Sequence, residues 1–138
     1  MPFKSIYVID DDEIFQFMIR RSIKAIDENI KVKVCSNGKK AIAELKNEME
    51  EIPDIILLDI NMPVMDGWEF LRHYSKVKSK VKKDISIYMV SSSANPSDID
   101  KAKDIQILSG YIPKPIDRNE LKKIITETPE NHWKISYA

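Results

Sequence analysis

The sequence is short of cysteine, glycine and histidine, and it has no long apolar run. One cysteine among 138 residues rules out an internal disulfide. Cys35 ends an alternating apolar stretch, 31–35, and reads as a buried structural thiol rather than a reactive one. Three glycines and no Ser/Gly-rich run leave no sign of an interdomain linker and no glycine loop to cradle phosphate. His73 and His132 have no metal-ligand company and read as surface residues. The first apolar segment, 6–9, is too short for a signal-peptide core or a membrane span. A cytoplasmic location with no membrane partner is the resulting expectation. Nor is there an excess of charge. Lys+Arg and Asp+Glu each total 22, which suggests neither nucleic acid nor an anionic membrane as a bulk partner.

What is present is an alternation of short apolar runs with helical patterns. The length suits one domain able to bury a core without staples. Residues 5–9 read as a strand ending in Asp10-Asp11-Asp12, and Phe15, Ile19, Ile23 and Ile26 then fall on one helical stripe. Residues 31–35 read as a half-exposed strand. Ser36-Asn37-Gly38 turns into a helix carrying Ala41, Ile42, Leu45 and Met49. Residues 54–58 form the most hydrophobic strand, one that looks buried on both faces.

After the loop 61–67, a third helix packs Phe70, Leu71, Tyr74 and Val77, and its basic continuation, 76–83, reads as a solvated helix end. Residues 85–90 and 110–113 read as the fourth and fifth strands, with a capping-rich loop, 91–97, opening a short helix near Asp98. Asp117-Arg118-Asn119-Glu120 resembles a capping box before Leu121, Ile124 and Ile125. This order predicts an α/β fold: a doubly wound, five-stranded parallel sheet with helices on both faces.

In such folds the reactive groups gather at the carboxyl ends of the strands. The first strand delivers Asp10, Asp11 and Asp12 there, the third Asp59, the fourth Ser91, and the fifth Lys114 followed by Pro115. Crowded carboxylates repel and raise one another's pKa, a conflict that a hard dication such as magnesium removes. Beside such an ion Asp59 can attack phosphorus, Lys114 can spread the charge of the transferring group, and Ser91 can donate to a phosphoryl oxygen. Asp12 reads as the N-cap of the first helix rather than a further ligand.

The segments V-I-D-D-D, L-L-D-I-N-M-P-V-M-D-G, M-V-S-S-S-A and G-Y-I-P-K-P occur in that order along the chain. Together they resemble the defining blocks of response-regulator receiver domains, over about residues 4–128. The resemblance implies a flavodoxin-like sheet of strand order 2-1-3-4-5, with a receiver domain over 1–128 and a tail over 129–138. It implies Asp59 as phosphoacceptor, and Mg2+ held by Asp10, Asp11, Asp59 and the backbone carbonyl of Asn61, with Asp11 the direct ligand of the acid pair. It implies Ser91 as the switch hydroxyl, Tyr111 as its aromatic partner, Lys114 as the phosphoryl-binding lysine, and a cis Lys114–Pro115 peptide. Met62-Pro63 and Gly67 match the turn after the acceptor. Tyr111 has plain packing as its other reading.

The function implied is a stand-alone receiver that takes phosphoryl from a phosphohistidine on a kinase or histidine phosphotransfer protein. It then acts on an unidentified output protein through its fourth helix, fifth strand and fifth helix, or only relays the phosphoryl group. Either a monomer or a phosphorylation-dependent dimer suits it, with no direct nucleic-acid contact and too few residues after 128 for an output domain. Asn61 and Ser93, small and polar beside the acceptor and the switch hydroxyl, predict a modest phosphoryl lifetime. A magnesium-dependent phosphatase is the competing class, but Asn61 stands where its second acid would protonate a leaving group. A flavodoxin-like cofactor binder would leave the acid cluster unexplained.

Two surfaces stay open. Ile14, Phe17 and Met18 lie off the core stripe of the first helix, as a deeper core edge or as a docking surface for the phosphodonor. Trp133, Ile135 and Tyr137 alternate with polar residues and either pack or fray.

Overall fold

A computed structural model describes residues 5–47, 51–81, 83–92 and 95–126. Five strands are β1 (Ser5–Ile9), β2 (Lys31–Cys35), β3 (Ile55–Leu58), β4 (Ser86–Ser91) and β5 (Leu108–Pro113). Five helices alternate with them: α1 (Glu13–Ile26), α2 (Gly38–Lys46), α3 (Gly67–Val77), α4 (Pro96–Lys103) and α5 (Arg118–Thr126). The sheet is wholly parallel, in the order β2-β1-β3-β4-β5. The fold class, strand order and two-faced helix layers expected from sequence are all observed.

Strand periodicity sorts the core into two halves. Tyr7 and Ile9, Ile56 and Leu58, and Ile87 and Met89 point to one face, where α2, α3 and α4 bury Ala41, Leu45, Phe70, Leu71, Tyr74, Ile99 and Ala102. Ile6 and Val8, Ile55 and Leu57, and Tyr88 and Val90 point to the other, under Ile19 and Ile23 of α1 and Leu121, Ile124 and Ile125 of α5. Covering both faces explains why β1, β3 and β4 read as continuous apolar runs.

Helix starts are set by side-chain caps that satisfy free amides of the first turn. Asp12 accepts from the amides of Ile14 and Phe15, as the N-cap reading expected. Asn37 caps α2, Asn95 with Pro96 starts α4, and Asp117 accepts from Asn119 and Glu120. A full reciprocal box forms at α3 between Asp66 and Glu69, which the sequence reading did not single out.

Some boundaries differ from expectation. The basic end of α3 tightens into a 3-10 turn, Lys78–Lys80, rather than continuing as α-helix. Asp54 stands just outside β3, where its carboxylate accepts from Ser5 N at 3.0 Å and meets Lys83 Nζ at 2.6 Å. β5 begins at Leu108, before Gly110, because a bulge opposite Ile87/Tyr88 absorbs one residue: Leu108 pairs Ile87 while Gly110 pairs Tyr88. Met49, Lys82, Ser93, His132 and the Trp133-Ile135-Tyr137 segment lie outside the described residues.

Candidate functional site

The ladder hydrogen bonds run one step beyond the strands and hold the reactive residues by their backbones. Asp10 N donates to Cys35 O at 3.0 Å, Asp59 N to Ile9 O at 2.9 Å, and Lys114 N to Ser91 O at 2.9 Å. The four strand ends thus present their side chains at one edge of the sheet.

There the Lys114 ammonium lies 2.7 Å from Asp10 Oδ2 and 3.6 Å from Asp59 Oδ1. Carboxylate oxygens of Asp10, Asp11 and Asp59 fall within 4.8 Å of one another. Asp10 and Asp59 are buried and Asp11 is exposed, so the cluster opens to solvent on the Asp11 side. Asp10 Oδ1 accepts from Asp12 N at 2.9 Å, and Gln16 Nε2 donates to the Asp10 carbonyl at 2.5 Å. Asp10 Oδ2 is fully buried and has no hydrogen-bond donor among the described residues beyond the Lys114 ion pair.

The electrostatics follow from burial. Loss of solvent pushes the Asp59 carboxyl up to about 6, with the Asp10 charge adding to the effect and Lys114 and the Ile60 amide opposing it. Burial also raises Asp10, and the Lys114 contact does not fully offset it. One ammonium shared by a buried acid pair leaves negative charge uncompensated, and an all-oxygen set of this kind fits a hard dication. Asp12 does not join it; its carboxylate is used in capping α1.

The loop after Asp59 is shaped by a close approach. Gly67 N donates to Ile60 O at 2.7 Å, and a Cβ on Gly67 would lie 2.4 Å from the Asp59 carbonyl oxygen. Only glycine fits there. Val64 in the same loop adopts φ 70°, with Met65 N donating across it to Pro63 O at 2.7 Å. Gly38 at the start of α2 lets Met65 approach to 3.0 Å of where a Cβ would stand.

Ser91 and Tyr111 are both buried. Tyr111 pairs Met89, and Ser91 follows Met89 by one strand repeat, so alternation puts the hydroxyl and the ring on the same face of neighbouring strands. Tyr111 stands inward in the α2-α3-α4 core. The Lys114–Pro115 peptide is cis, and Asn61 is exposed. His73 is on the surface, and Cys35 is buried, its thiol raised to about 11 by burial.

Sequence reasoning missed two members of the site. Phe15, read only as a core-stripe residue, carries the Lys114 ammonium 4.5 Å from its ring centroid. Gln16 was not singled out at all. A position four or five residues past Asp11 on the first turn of α1 was the available signal, because that turn begins beside the acids. The core-edge reading of Phe17 is corrected. Ile14, Phe17 and Met18 are 72%, 61% and 56% exposed, since among the described residues α1 packs against the core through its Ile19–Ile23 side.

A family model for the response regulator receiver domain matches residues 6–126. The chain belongs to that family. Receiver domains are phosphoacceptor elements of two-component signalling, and this one resembles solved members closely. It aligns with a two-component response regulator from Cytophaga hutchinsonii at TM-score 0.79 and 29% identity, over 90% of this chain and 95% of that one. The receiver domain of sensor histidine kinase PA1611 from Pseudomonas aeruginosa, solved with a magnesium ion coordinated in its active-site cleft, matches in fold. Its TM-score is 0.74 at 21% identity, over 89% and 94% of the two chains. A protein-glutamate methylesterase/protein-glutamine glutaminase of Rhodospirillum centenum is 34% identical over 121 residues, 87% of this chain and 29% of that protein. The chain spans about a third or less of the curated relatives it matches first.

Proposed function

We propose that this receiver domain is a magnesium-dependent phosphoacceptor switch that takes a phosphoryl group onto Asp59. The observation that carries the proposal is the shared ammonium: Lys114 sits 2.7 Å from Asp10 and 3.6 Å from Asp59, in a cluster of three carboxylates. In the transfer, an Asp59 oxygen forms a bond to phosphorus while the P–N bond to the donor histidine breaks, and the imidazole leaves with that electron pair. Lys114 is placed to turn from Asp10 toward the phosphoryl oxygens as their charge shifts onto the Asp59 side. The backbone of 60–61 supplies further donors and a carbonyl.

Asp10, Asp11, Asp59 and the Asn61 carbonyl would hold the ion. The buried, under-donated Asp10 Oδ2 and the raised Asp59 carboxyl support that donor set, and a magnesium ion occupies the cleft of the PA1611 receiver. When bound it neutralises the acid pair and the phosphoryl oxygens. Ser91 would then donate to the phosphoryl group, and Tyr111, on the same sheet face, would report the change to the α4-β5-α5 surface, by which an output protein is bound or the phosphoryl group is relayed.

The exposed Ile14, Phe17 and Met18 face, with Arg21 5.5 Å over the Phe17 ring, supports α1 as the docking site of a phosphohistidine-bearing kinase or phosphotransfer protein. Exposed Asn61 offers no proton for a leaving group and leaves room for an attacking water, which favours a self-limiting switch over a phosphatase. A receiver domain over 1–128, a cytoplasmic setting, and a monomer or phosphorylation-dependent dimer belong to the same reading. With acetyl phosphate and magnesium, intact mass should rise by one phosphoryl group, and Asp59→Asn should abolish the gain. Label that survives Asp59→Asn, or forms equally in EDTA, defeats the proposal.

A further inference from the structure

Phe15 stands four residues past Asp11, on the first turn of α1, half-buried at the rim of the α1/α5 core. The stripe explains its apolar character but not its place. Its ring lies 4.5 Å from the Lys114 ammonium, the same nitrogen that meets Asp10 at 2.7 Å and Asp59 at 3.6 Å. An ammonium has three donor protons and no acceptor. Two sides of this one face carboxylates, and the ring covers another, leaving the side chain 15% exposed.

The two kinds of contact constrain the lysine differently. A charged hydrogen bond to a carboxylate is short and directional. Attraction to an aromatic face is spread over the ring and tolerates displacement of the cation. With Asp10 alone, the ammonium would settle on its near partner, and leaving a buried ion pair is costly. With the ring beneath it, the ammonium keeps a partner while it turns from one acid to the other.

We infer that Phe15 is a positioning residue for Lys114: its ring holds the ammonium at the site and lets it pass from Asp10 toward the phosphoryl group on Asp59. The inference rests on the phosphoacceptor reading above and adds to it a residue outside the acids, hydroxyl and lysine. Asp59 and Lys114 touch the reacting atoms, whereas Phe15 acts through Lys114.

Phe15→Leu keeps apolar volume on the stripe and removes the aromatic face; Phe15→Tyr keeps the face. The rate of phosphorylation from acetyl phosphate in magnesium should fall about three- to ten-fold in Phe15→Leu, the range of a partly desolvated cation–π contact, and return in Phe15→Tyr. In metal-free protein the Lys114 Hε resonances should move downfield in Phe15→Leu as the ring current disappears, with the thermal midpoint little changed. In a Lys114→Met background, Phe15→Leu should have no further effect. A wild-type rate in Phe15→Leu, or the same slowing in the Lys114→Met background, overturns the inference. Should Phe15→Leu not fold, Phe15→Met takes its place in every arm. Failure of the underlying reading looks different: Lys114→Met would itself react at the wild-type rate, or label would survive Asp59→Asn.

Discussion

At the scale of single residues, the site is defined by how closely backbone and side chain can approach. Gly67 is the sharpest case, because a Cβ there would stand 2.4 Å from the Asp59 carbonyl oxygen and 3.0 Å from Ile60 Cα. Both neighbours are backbone, so neither can swing aside. Gly67→Ala should therefore lower stability by ~2 kcal/mol or more and displace the acceptor loop. Urea unfolding measures the first effect and the rate of acetyl phosphate labelling the second. A variant with wild-type midpoint and labelling rate would show that the loop relaxes freely. The importance of Gly67 was legible in the motif that contains it, but its reason was not. A sequence shows that a glycine follows Asp66, not which carbonyl it must clear. Phe15 is the opposite case: its stripe position was legible, while its contact with Lys114 depends on a side chain about a hundred positions away.

At the scale of elements, caps and periodicity placed most starts and faces, and the misses have local physical causes. β5 was expected to open at Gly110, whereas a glycine inside a strand often marks a bulge. The bulge accommodates that glycine inside the strand and returns Tyr111 to the face of Leu108, three positions earlier. Plain alternation would have put Leu108 and Tyr111 on opposite faces. α1 shows a different limit. Its moment identifies two faces, yet nothing in the helix itself tells whether a second element covers Phe17. Since none does among the described residues, Ile14→Ser and Phe17→Ser together should slow phosphotransfer from a cognate phosphohistidine protein by roughly ten-fold or more, as loss of apolar anchors does at interfaces. Labelling by acetyl phosphate should be unaffected, because the exposed Ile14 and Phe17 side chains, unlike Phe15 of the same helix, do not meet Lys114 or the acids. Equal loss with both donors would place the patch in folding or chemistry, and no loss with either would remove it from docking.

At the scale of the whole molecule, the fold concentrates acids that the unfolded chain keeps apart, and stability should record it. The Asp59 carboxyl stands at about 6 in the folded protein against an ordinary 3.8. Between about pH 4 and 6 the unfolded chain releases this proton while the folded chain retains it. Stability without metal should thus fall as pH rises through that window and carry the full penalty above it. The difference corresponds to at most ~3 kcal/mol, shared with the neighbouring Asp10. Asp59→Asn should accordingly exceed the wild type in stability at pH 7.5 in EDTA, with the gap shrinking toward pH 4.5. Added magnesium should narrow it from the other side by stabilising the wild type. Urea midpoints at both pH values test this, and a gap that is absent or widens on acidification would contradict it.

The sequence by itself determined the alternation of strands and helices, the caps, the two-faced core and the acids, hydroxyl and lysine at strand ends. Each of these depends on neighbours within a turn of helix or a few strand residues, where propensity and periodicity act. Tertiary structure alone decided the sharing of Lys114 between Asp10 and Asp59, the ring beneath it, the clearance at Gly67, the bulge that turns Tyr111 inward and the exposure of Ile14, Phe17 and Met18 on α1. Those depend on distances between segments far apart in the chain, and such distances exist only once the sheet has closed its register and the helices have packed.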